Sequence, residues 1–328
     1  MTFPWASRFP AVAGWSFWVL IAALLVACAQ VPGTGRTQLR LIPLDQEIAM
    51  GVAEFQRLKA QEPILRDPRV QAEVRAVGER IAAVAPLPGA QWEFVVFDAP
   101  KVANAFCLPG GKVGVYSGLL PYTRDAGGLA TVIGHEVAHA AAHHGAERLS
   151  QLMLVELGGL FLDQLLGDVP EQRRRLIQMA YGVGTTLAVV LPYSRRQELE
   201  ADRLGLMYMA QAGFDPRAAL AFWRRFAEAG GPSPPEFLST HPADERRIAQ
   251  LERLMPEALE VYRRARASND LDVPGFVADA VGVGVGVADA HVAQVDEALV
   301  FTRAGELGGE VELAEAHLAH VEVADAVE

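Results

Sequence analysis

The chain contains 328 residues, of which 51% are hydrophobic and 21% are charged, and this composition indicates a globular protein with one large core or two small ones. The formal charge of −11 arises from residues 267–328, where thirteen acidic residues against one arginine give −12 and leave +1 for the rest of the chain. No basic stripe indicates a nucleic-acid partner, so that class of function is excluded.

Residues 1–28 are predicted to be a targeting signal. Their only charge is Arg8, and the apolar run from Gly14 to Ala27 is too short to cross a membrane comfortably as a helix. The run ends in Leu25-Val26-Ala27-Cys28, which resembles a bacterial lipobox, in which the cysteine thiol is lipidated and becomes the mature N-terminus. The alternatives are an uncleaved membrane anchor and a plain secretory signal.

Lipidation of Cys28 leaves Cys107 as the other cysteine, so no disulfide framework is expected. A diacylglycerol group and an N-acyl chain on Cys28 would hold the protein firmly at a membrane. Because Ala29 rather than an aspartate follows, the expected location is the periplasmic face of the outer membrane of a Gram-negative bacterium. Residues 29–43, which contain Pro32-Gly33, are predicted to form a tether.

Helical periodicity follows over residues 44–60 and again after Asp67-Pro68. Three strand-like segments come next, namely Trp92–Phe97, Val102–Leu108 and Lys112–Ser117. An exposed strand of this small sheet is expected to receive an extended peptide by edge pairing, with Ala103, Asn104 and Ala105 as substrate-binding residues. The alternative is a structural hairpin without ligand contacts.

The segment Thr131–His144 has no proline, is rich in alanine and is predicted to form one helix. His135 and His139 are spaced i and i+4 and project from nearly the same side, while Glu136 is rotated away by roughly 100°. Two imidazoles on one face make half of a zinc site. This H-E-x-x-H pattern is typical of metallopeptidases, in which zinc acidifies a water molecule and the glutamate takes its proton.

An amphipathic helix with incidental surface histidines is the alternative. The neighbours Val132, Ile133 and Val137 are apolar and favour a buried helix, in which ligation is the simpler account because a buried imidazole without a partner is costly. Residues 151–193 are mostly apolar and predict two helices around a polar break at Asp168–Arg175. A lid, a membrane contact and completion of the core are open as their roles, and the core is the ordinary one.

Another long helix is predicted from Ser194 to Gly213. Within it, Glu198 and Asp202 lie one turn apart on one face. Glu198 can supply the third protein ligand that a zinc site needs, and Asp202 can accept the remaining N–H of a ligand histidine and fix its tautomer. Glu200 points to another side and is expected to be solvated. A surface helix with arginine–glutamate pairs is the alternative.

His241 precedes Pro242, which holds it extended at the start of a helix that contains Arg247. We expect His241 to approach the metal from the side opposite the central helix. Beyond residue 266 the helical pattern ends in a low-complexity acidic segment, so residues 267–328 are expected to be disordered, with loose helix as the alternative. Residues 44–266 are expected to form the metallopeptidase domain.

Three separated segments resemble the zinc metallopeptidases of the HtpX and CAAX prenyl protease family: His135-Glu136-Val-Ala-His139, Glu198-Leu-Glu-Ala-Asp202, and Ser239-Thr-His-Pro242 with Arg247. The resemblance covers about residues 44–255 and is closest to lipoproteins of the BepA and LoiP type, although the C-terminal helical repeats of the BepA type are missing. It implies an α+β, mainly α-helical gluzincin domain with a small β-sheet beside the active-site helix. It also implies one Zn²⁺ per chain.

The residues that the resemblance assigns to the site are His135, His139 and Glu198 as zinc ligands and Glu136 as the catalytic base. His241 would stabilise the tetrahedral oxyanion, a role that Tyr193 could share, or would occupy the fourth zinc position in a resting form. Arg247 would support the loop around His241.

The expected function is zinc-dependent hydrolysis of unfolded, misassembled or stalled envelope polypeptides, that is, protein quality control in the periplasm. The enzyme would be held at the membrane through Cys28. The main alternative is a latent or chaperone-like zinc-binding lipoprotein whose metal site is closed by His241. A weaker alternative is an unrelated zinc hydrolase that acts on cell-wall amides.

Overall fold

A computed structural model describes residues 28–167, 169–186, 190–228, 237, 241 and 245–268. Residues 1–27 of the predicted signal, the tail from residue 269 onward and the side chain of Tyr193 lie outside the described part. In chain order, its elements are β1 (Cys28–Gln30), β2 (Thr37–Leu39), α1 (Leu44–Gln61), α2 (Pro68–Ala82), β3 (Glu93–Phe97), β4 (Ala105–Leu108), β5 (Lys112–Tyr116), α3 (Leu120–Thr123), α4 (Ala126–Ala141), α5 (His144–Leu165), α6 (Glu171–Thr185), α7 (Leu191–Gln211), α8 (Arg217–Glu228) and α9 (Glu245–Ser268). The predicted class, α+β and mainly helical, is confirmed.

The first described residues form a strand pair where a tether was predicted. β1 and β2 are antiparallel, with Cys28 opposite Leu39. The connection closes because the Val31 N–H donates to the Arg36 carbonyl at 2.8 Å and because Gly33 adopts a φ of 83°, which glycine tolerates. Val31 is 1% exposed, so burial of its apolar side chain holds this segment against the domain.

The second sheet has the order β3-β5-β4, with β3 parallel and β4 antiparallel to β5. Its edge strand β4 begins at Ala105 rather than at the predicted Val102. Here the Asn104 side chain accepts the Ala105 N–H at 2.9 Å, a local bond that competes with regular strand pairing. Every residue of β4 is buried and the strand contacts α4, so the small sheet lies beside the central helix, as predicted.

The central helix α4 is shorter at its C-terminal end than predicted. Asp125 caps its start by accepting a backbone N–H of the first turn at 2.7 Å. The prediction of one helix through His144 was wrong, because α4 ends at Ala141 and His143 adopts a left-handed conformation with a φ of 55°. The His143 ring lies 2.9 Å from the buried Glu47 carboxylate of α1, and this contact accompanies the change of direction into α5.

Helices α5 and α6 form a hairpin in which Tyr181 donates to the Val155 carbonyl at 2.9 Å and Gln178 donates to Asp163 at 2.8 Å. Two helices around a polar break were predicted and are present. The first two turns of α5 contain buried residues, but no described residue of α6 is buried, so α6 does not complete the core. The large apolar side chains that they expose are Met153, Leu157, Leu160, Phe161, Leu165, Leu176, Ile177, Met179 and Val183. No helix within the described ranges has the length and hydropathy needed to cross a membrane.

Candidate metal centre

Two glycines allow α4 and α7 to approach each other closely. A Cβ atom on Gly134 would lie 3.0 Å from the Gly205 carbonyl oxygen, and one on Gly205 would lie 2.8 Å from the His135 backbone nitrogen. A larger side chain at position 205 would therefore push the two backbones apart. Their close packing brings the histidines of α4 and the carboxylates of α7 into one buried cluster.

Four buried side chains, His135, His139, Glu198 and His241, present ligand atoms that all lie within 4.8 Å of one another. The Nε2 atoms of His135 and His139 are 3.1 Å apart and lie 3.4 Å and 3.3 Å from the two oxygens of Glu198. Around a tetrahedral zinc ion with bonds of about 2 Å, ligand atoms are separated by about 3.3 Å. The spacing and the nitrogen–oxygen donor set therefore fit a zinc ion.

The buried charges of this cluster favour a cation between the histidines. Burial lowers the pKa of His135, but Asp202 and Glu198 raise it to about 9. Burial alone would raise the pKa of Glu198, yet the neighbouring histidines and Arg247 hold that pKa well below its ordinary value. The site thus stabilises either a proton on His135 or a metal ion, and metal binding would displace the proton.

Asp202 and Arg247 adjoin the metal-facing residues. The Asp202 carboxylate lies 3.1 Å from Nδ1 of His135, on the ring edge away from the ligand cluster. Arg247 donates to both oxygens of Asp202 at 2.7 Å, lies 3.1 Å from Glu198 and packs its guanidinium over the Trp223 ring. The prediction that Arg247 also supports the loop around His241 concerns residues outside the described ranges, and it stays a prediction.

His241 faces α4 across the cluster. Its Nε2 lies 3.7 Å from a Glu136 oxygen and 3.9 Å from a Glu198 oxygen, and its ring stacks on Phe237. Glu136 itself is 1% exposed. His241 therefore borders both the candidate base and the metal position.

The predicted substrate-binding residues Ala103, Asn104 and Ala105 are buried, so the expectation of an exposed strand here was wrong. The Ala103 carbonyl accepts the Phe237 N–H at 3.1 Å, and the Phe237 carbonyl accepts the His241 N–H at 2.8 Å. The segment that carries His241 thus occupies the main-chain position at which a peptide was expected to pair.

A polar cluster on the other side of His139 was not found from the sequence. Glu200, which was expected to be solvated, is 8% exposed, and that prediction was wrong. Its carboxylate lies 3.1 Å from Nε2 of His144 and 2.7 Å from Nε of Arg36. Glu200 follows Glu198 by two residues, so its side chain projects roughly 200° away from that of Glu198 around the helix axis. Helical spacing alone did not indicate that β1 and β2 cover this face.

The sequence profile of peptidase family M48 matches residues 68–255. The mitochondrial metalloendopeptidase OMA1 of Arabidopsis thaliana is 36% identical over 219 residues, which are 66% of this chain and 43% of that protein. OMA1 of Saccharomyces cerevisiae is 34% identical over 244 residues, which are 71% of this chain and 64% of that protein. The beta-barrel assembly-enhancing protease of Yersinia pestis is 29% identical over 238 residues, which are 69% of this chain and 47% of that protein. The chain therefore spans less than two thirds of the length of each of these relatives.

Proposed function

The chain belongs to peptidase family M48, and we propose that it is a zinc-dependent endopeptidase that cleaves unfolded, misassembled or stalled polypeptides of the bacterial envelope. The observation that carries the proposal is the convergence of ligand atoms from His135, His139 and Glu198 beside the Glu136 carboxylate. Two imidazoles and one carboxylate leave the fourth coordination position open, which a catalytic zinc site requires for water or substrate.

Glu136 is the residue best suited to move the proton. When bound, zinc would supply Lewis acidity to the attacking water and to the scissile carbonyl. Glu136 would take the proton from that water and later deliver it to the leaving amine. Its carboxylate is buried beside the ligand group without belonging to it, which supports this assignment. His241, whose Nε2 lies 3.7 Å from a Glu136 oxygen, would donate a hydrogen bond to the oxyanion.

The substrate is expected to bind through its backbone along β4. The Ala103 carbonyl, just before β4, already accepts a main-chain N–H, from Phe237, so an N–H of an extended peptide could take the place of the Phe237 N–H while His241 stays beside the metal position. Only unfolded or locally extended polypeptides present main-chain groups in this way. The proposed substrate class follows from this requirement, and the similarity to a beta-barrel assembly-enhancing protease supports an envelope location.

Casein cleavage by the wild type and by Glu136→Gln, each with and without a chelator, tests the proposal. Glu136→Gln should bind zinc normally, while kcat falls about 10²–10⁴-fold because the general base is lost. Chelation should abolish wild-type cleavage, and added zinc should restore it. Zinc content is measured in parallel, and equal cleavage rates in all four arms would refute the proposal.

The anchor at Cys28 is proposed on the lipobox-like sequence and on the exposure of Cys28 at the start of β1. It would hold the enzyme at the periplasmic face of the outer membrane, in protein quality control. Labelling cells with a radioactive fatty acid should mark the wild type but not Cys28→Ser. Equal labelling of both proteins, or of neither, contradicts the anchor.

One observation favours a second candidate, a latent or chaperone-like zinc-binding protein: His241 belongs to the ligand group. Four protein ligands would then close the metal position. X-ray absorption on the zinc-loaded protein distinguishes the two candidates. Four protein ligands with and without peptide would favour the latent form, whereas an exchangeable water in the presence of peptide would favour the enzyme.

A further inference from the structure

A series of buried polar contacts holds the ring of His139 on the edge that faces away from the metal position. Its Nε2 faces His135 and Glu198, while its Nδ1 lies 2.8 Å from Nδ1 of His144. The second nitrogen of His144, Nε2, lies 3.1 Å from the Glu200 carboxylate. His144 is fully buried, so these two contacts replace hydration of its ring.

Metal binding by His139 fixes the direction of each of these hydrogen bonds. A neutral histidine that binds a metal through Nε2 carries its proton on Nδ1, so His139 donates and Nδ1 of His144 accepts. His144 must then carry its own proton on Nε2, which it donates to Glu200. A single tautomer of neutral His144 satisfies both contacts, and an outer partner of this kind is what orients a ligand histidine.

Arg36, in the connection between β1 and β2, contacts the far end of this series of hydrogen bonds at Glu200. Its Nε donates to Glu200 at 2.7 Å, and its two terminal nitrogens donate to the Glu147 carboxylate of α5 at 2.6 Å and 2.8 Å. These three side chains are at most 6% exposed, so one arginine compensates two buried carboxylates. The planar guanidinium donates from three separate nitrogens to the two carboxylates, whereas a lysine has one nitrogen and cannot reproduce this spacing of donors.

We propose that His144, Glu200 and Arg36 form a positioning network that orients His139 for zinc binding and makes β1 and β2 part of the metal centre. The network acts through His139 and touches no reacting atom. Arg36 lies outside residues 68–255, which the family profile matches. The inference rests on the proposed ligation of zinc by His139.

The test measures the zinc dissociation constant of the full chain by competition with a chromophoric chelator. Loss of an outer partner of a ligand histidine typically weakens metal binding about 10–100-fold, and we expect this loss for Glu200→Ala. Glu200→Gln retains an oxygen that accepts from His144 and should recover part of the affinity. Arg36→Lys keeps the charge but not the donors on three separate nitrogens, and it should weaken zinc binding less than Glu200→Ala does.

Leu58→Ala is the matched control, because Leu58 is buried in α1 and belongs to neither the network nor the ligand group. It should lower the melting temperature of the metal-free protein while leaving the zinc dissociation constant unchanged. A purely structural role of Glu200 predicts the same pattern for Glu200→Ala. Wild-type affinity in folded Glu200→Ala, or an equal loss of affinity in Leu58→Ala, would overturn the positioning network.

If Glu200→Ala does not fold, the test rests on Arg36→Lys. An unchanged zinc dissociation constant in that variant overturns the inference. His139→Ala separates this failure from a failure of the proposed function. If His139→Ala binds zinc as tightly as the wild type, the proposed metal centre is wrong and the inference falls with it. If His139→Ala loses zinc while the network variants keep it, the positioning network alone is wrong.

Discussion

The metal centre and the α5–α6 hairpin distribute polar and apolar side chains in opposite ways. In the metal centre, charged residues are buried, with Asp202 3% exposed and Arg247 2% exposed. In the hairpin, large apolar residues face outward, with Leu160 63% exposed and Leu176 66% exposed. All four of these residues lie in regular helices, so the elements that pack against a helix decide which of its side chains are buried, and residue type alone does not.

The largest difference is expected between ion pairs of the two regions. Asp202→Ala leaves Arg247 buried without its bidentate partner, and such a loss typically destabilises a protein by about 3–5 kcal/mol. Glu171→Ala removes the exposed hairpin partner of Arg174 and Arg175, and we expect no measurable change in stability. Urea unfolding of the chelator-treated proteins measures both. Equal losses of stability in the two variants would contradict the difference in burial.

A second comparison uses leucines of the two regions. Leu129 of α4 is fully buried, and Leu129→Ala should lower the free energy of unfolding by about 2–5 kcal/mol through lost burial and the cavity left behind. Leu160→Ala on the hairpin should change it by less than about 0.5 kcal/mol. The same urea titrations measure both variants. A large loss of unfolding free energy in Leu160→Ala would mean that the apolar face of the hairpin is covered in solution. That result would contradict the difference in burial between the two regions.

Much of the fold was predictable because functional and apolar residues recur at helical or strand spacing. Glu198 and Asp202 lie one turn apart, and that spacing by itself indicated a helix with one functional face. The three strands and the two helices of the hairpin followed from the same kind of pattern, whereas the class and the position of the small sheet beside the central helix were implied by the family resemblance. Spacing reports which residues share a face and does not report what covers that face.

The features that were not predicted depend on contacts between distant parts of the chain. The end of α4 is one example, because the alanine-rich sequence favours a longer helix, whereas His143 turns away and contacts Glu47 from another helix. Glu200 is another, since its burial requires Arg36 from a segment that was predicted to be a tether. The exposed apolar face of the hairpin is a third, because apolar helical spacing is the same in a core helix and in an uncovered one.

The smallest expected effect is the pH dependence that Asp202 contributes to the free energy of unfolding. It tests whether the buried charges of the metal centre stabilise one another. Burial alone would raise the pKa of Asp202, but Arg247 and His135 outweigh this and lower it from 3.8 to about 2. As the pH falls, the unfolded chain therefore takes up this proton first. The ionised carboxylate stabilises the folded protein above about pH 4, by about 2 kcal/mol, and this stabilisation is lost as the pH falls from about 4 to about 2.

Unfolding free energies of the wild type and Asp202→Asn, measured from pH 7 to pH 3 with a chelator present, test this dependence. The chelator prevents loss of bound metal at low pH from contributing to the result. The difference between the two proteins should narrow as the pH falls from about 5 to 3, because only the wild type has the carboxylate that titrates in this range. A difference that stayed constant to pH 3 would mean that Asp202 titrates normally and that the paired charges of the metal centre do not stabilise its ionised form.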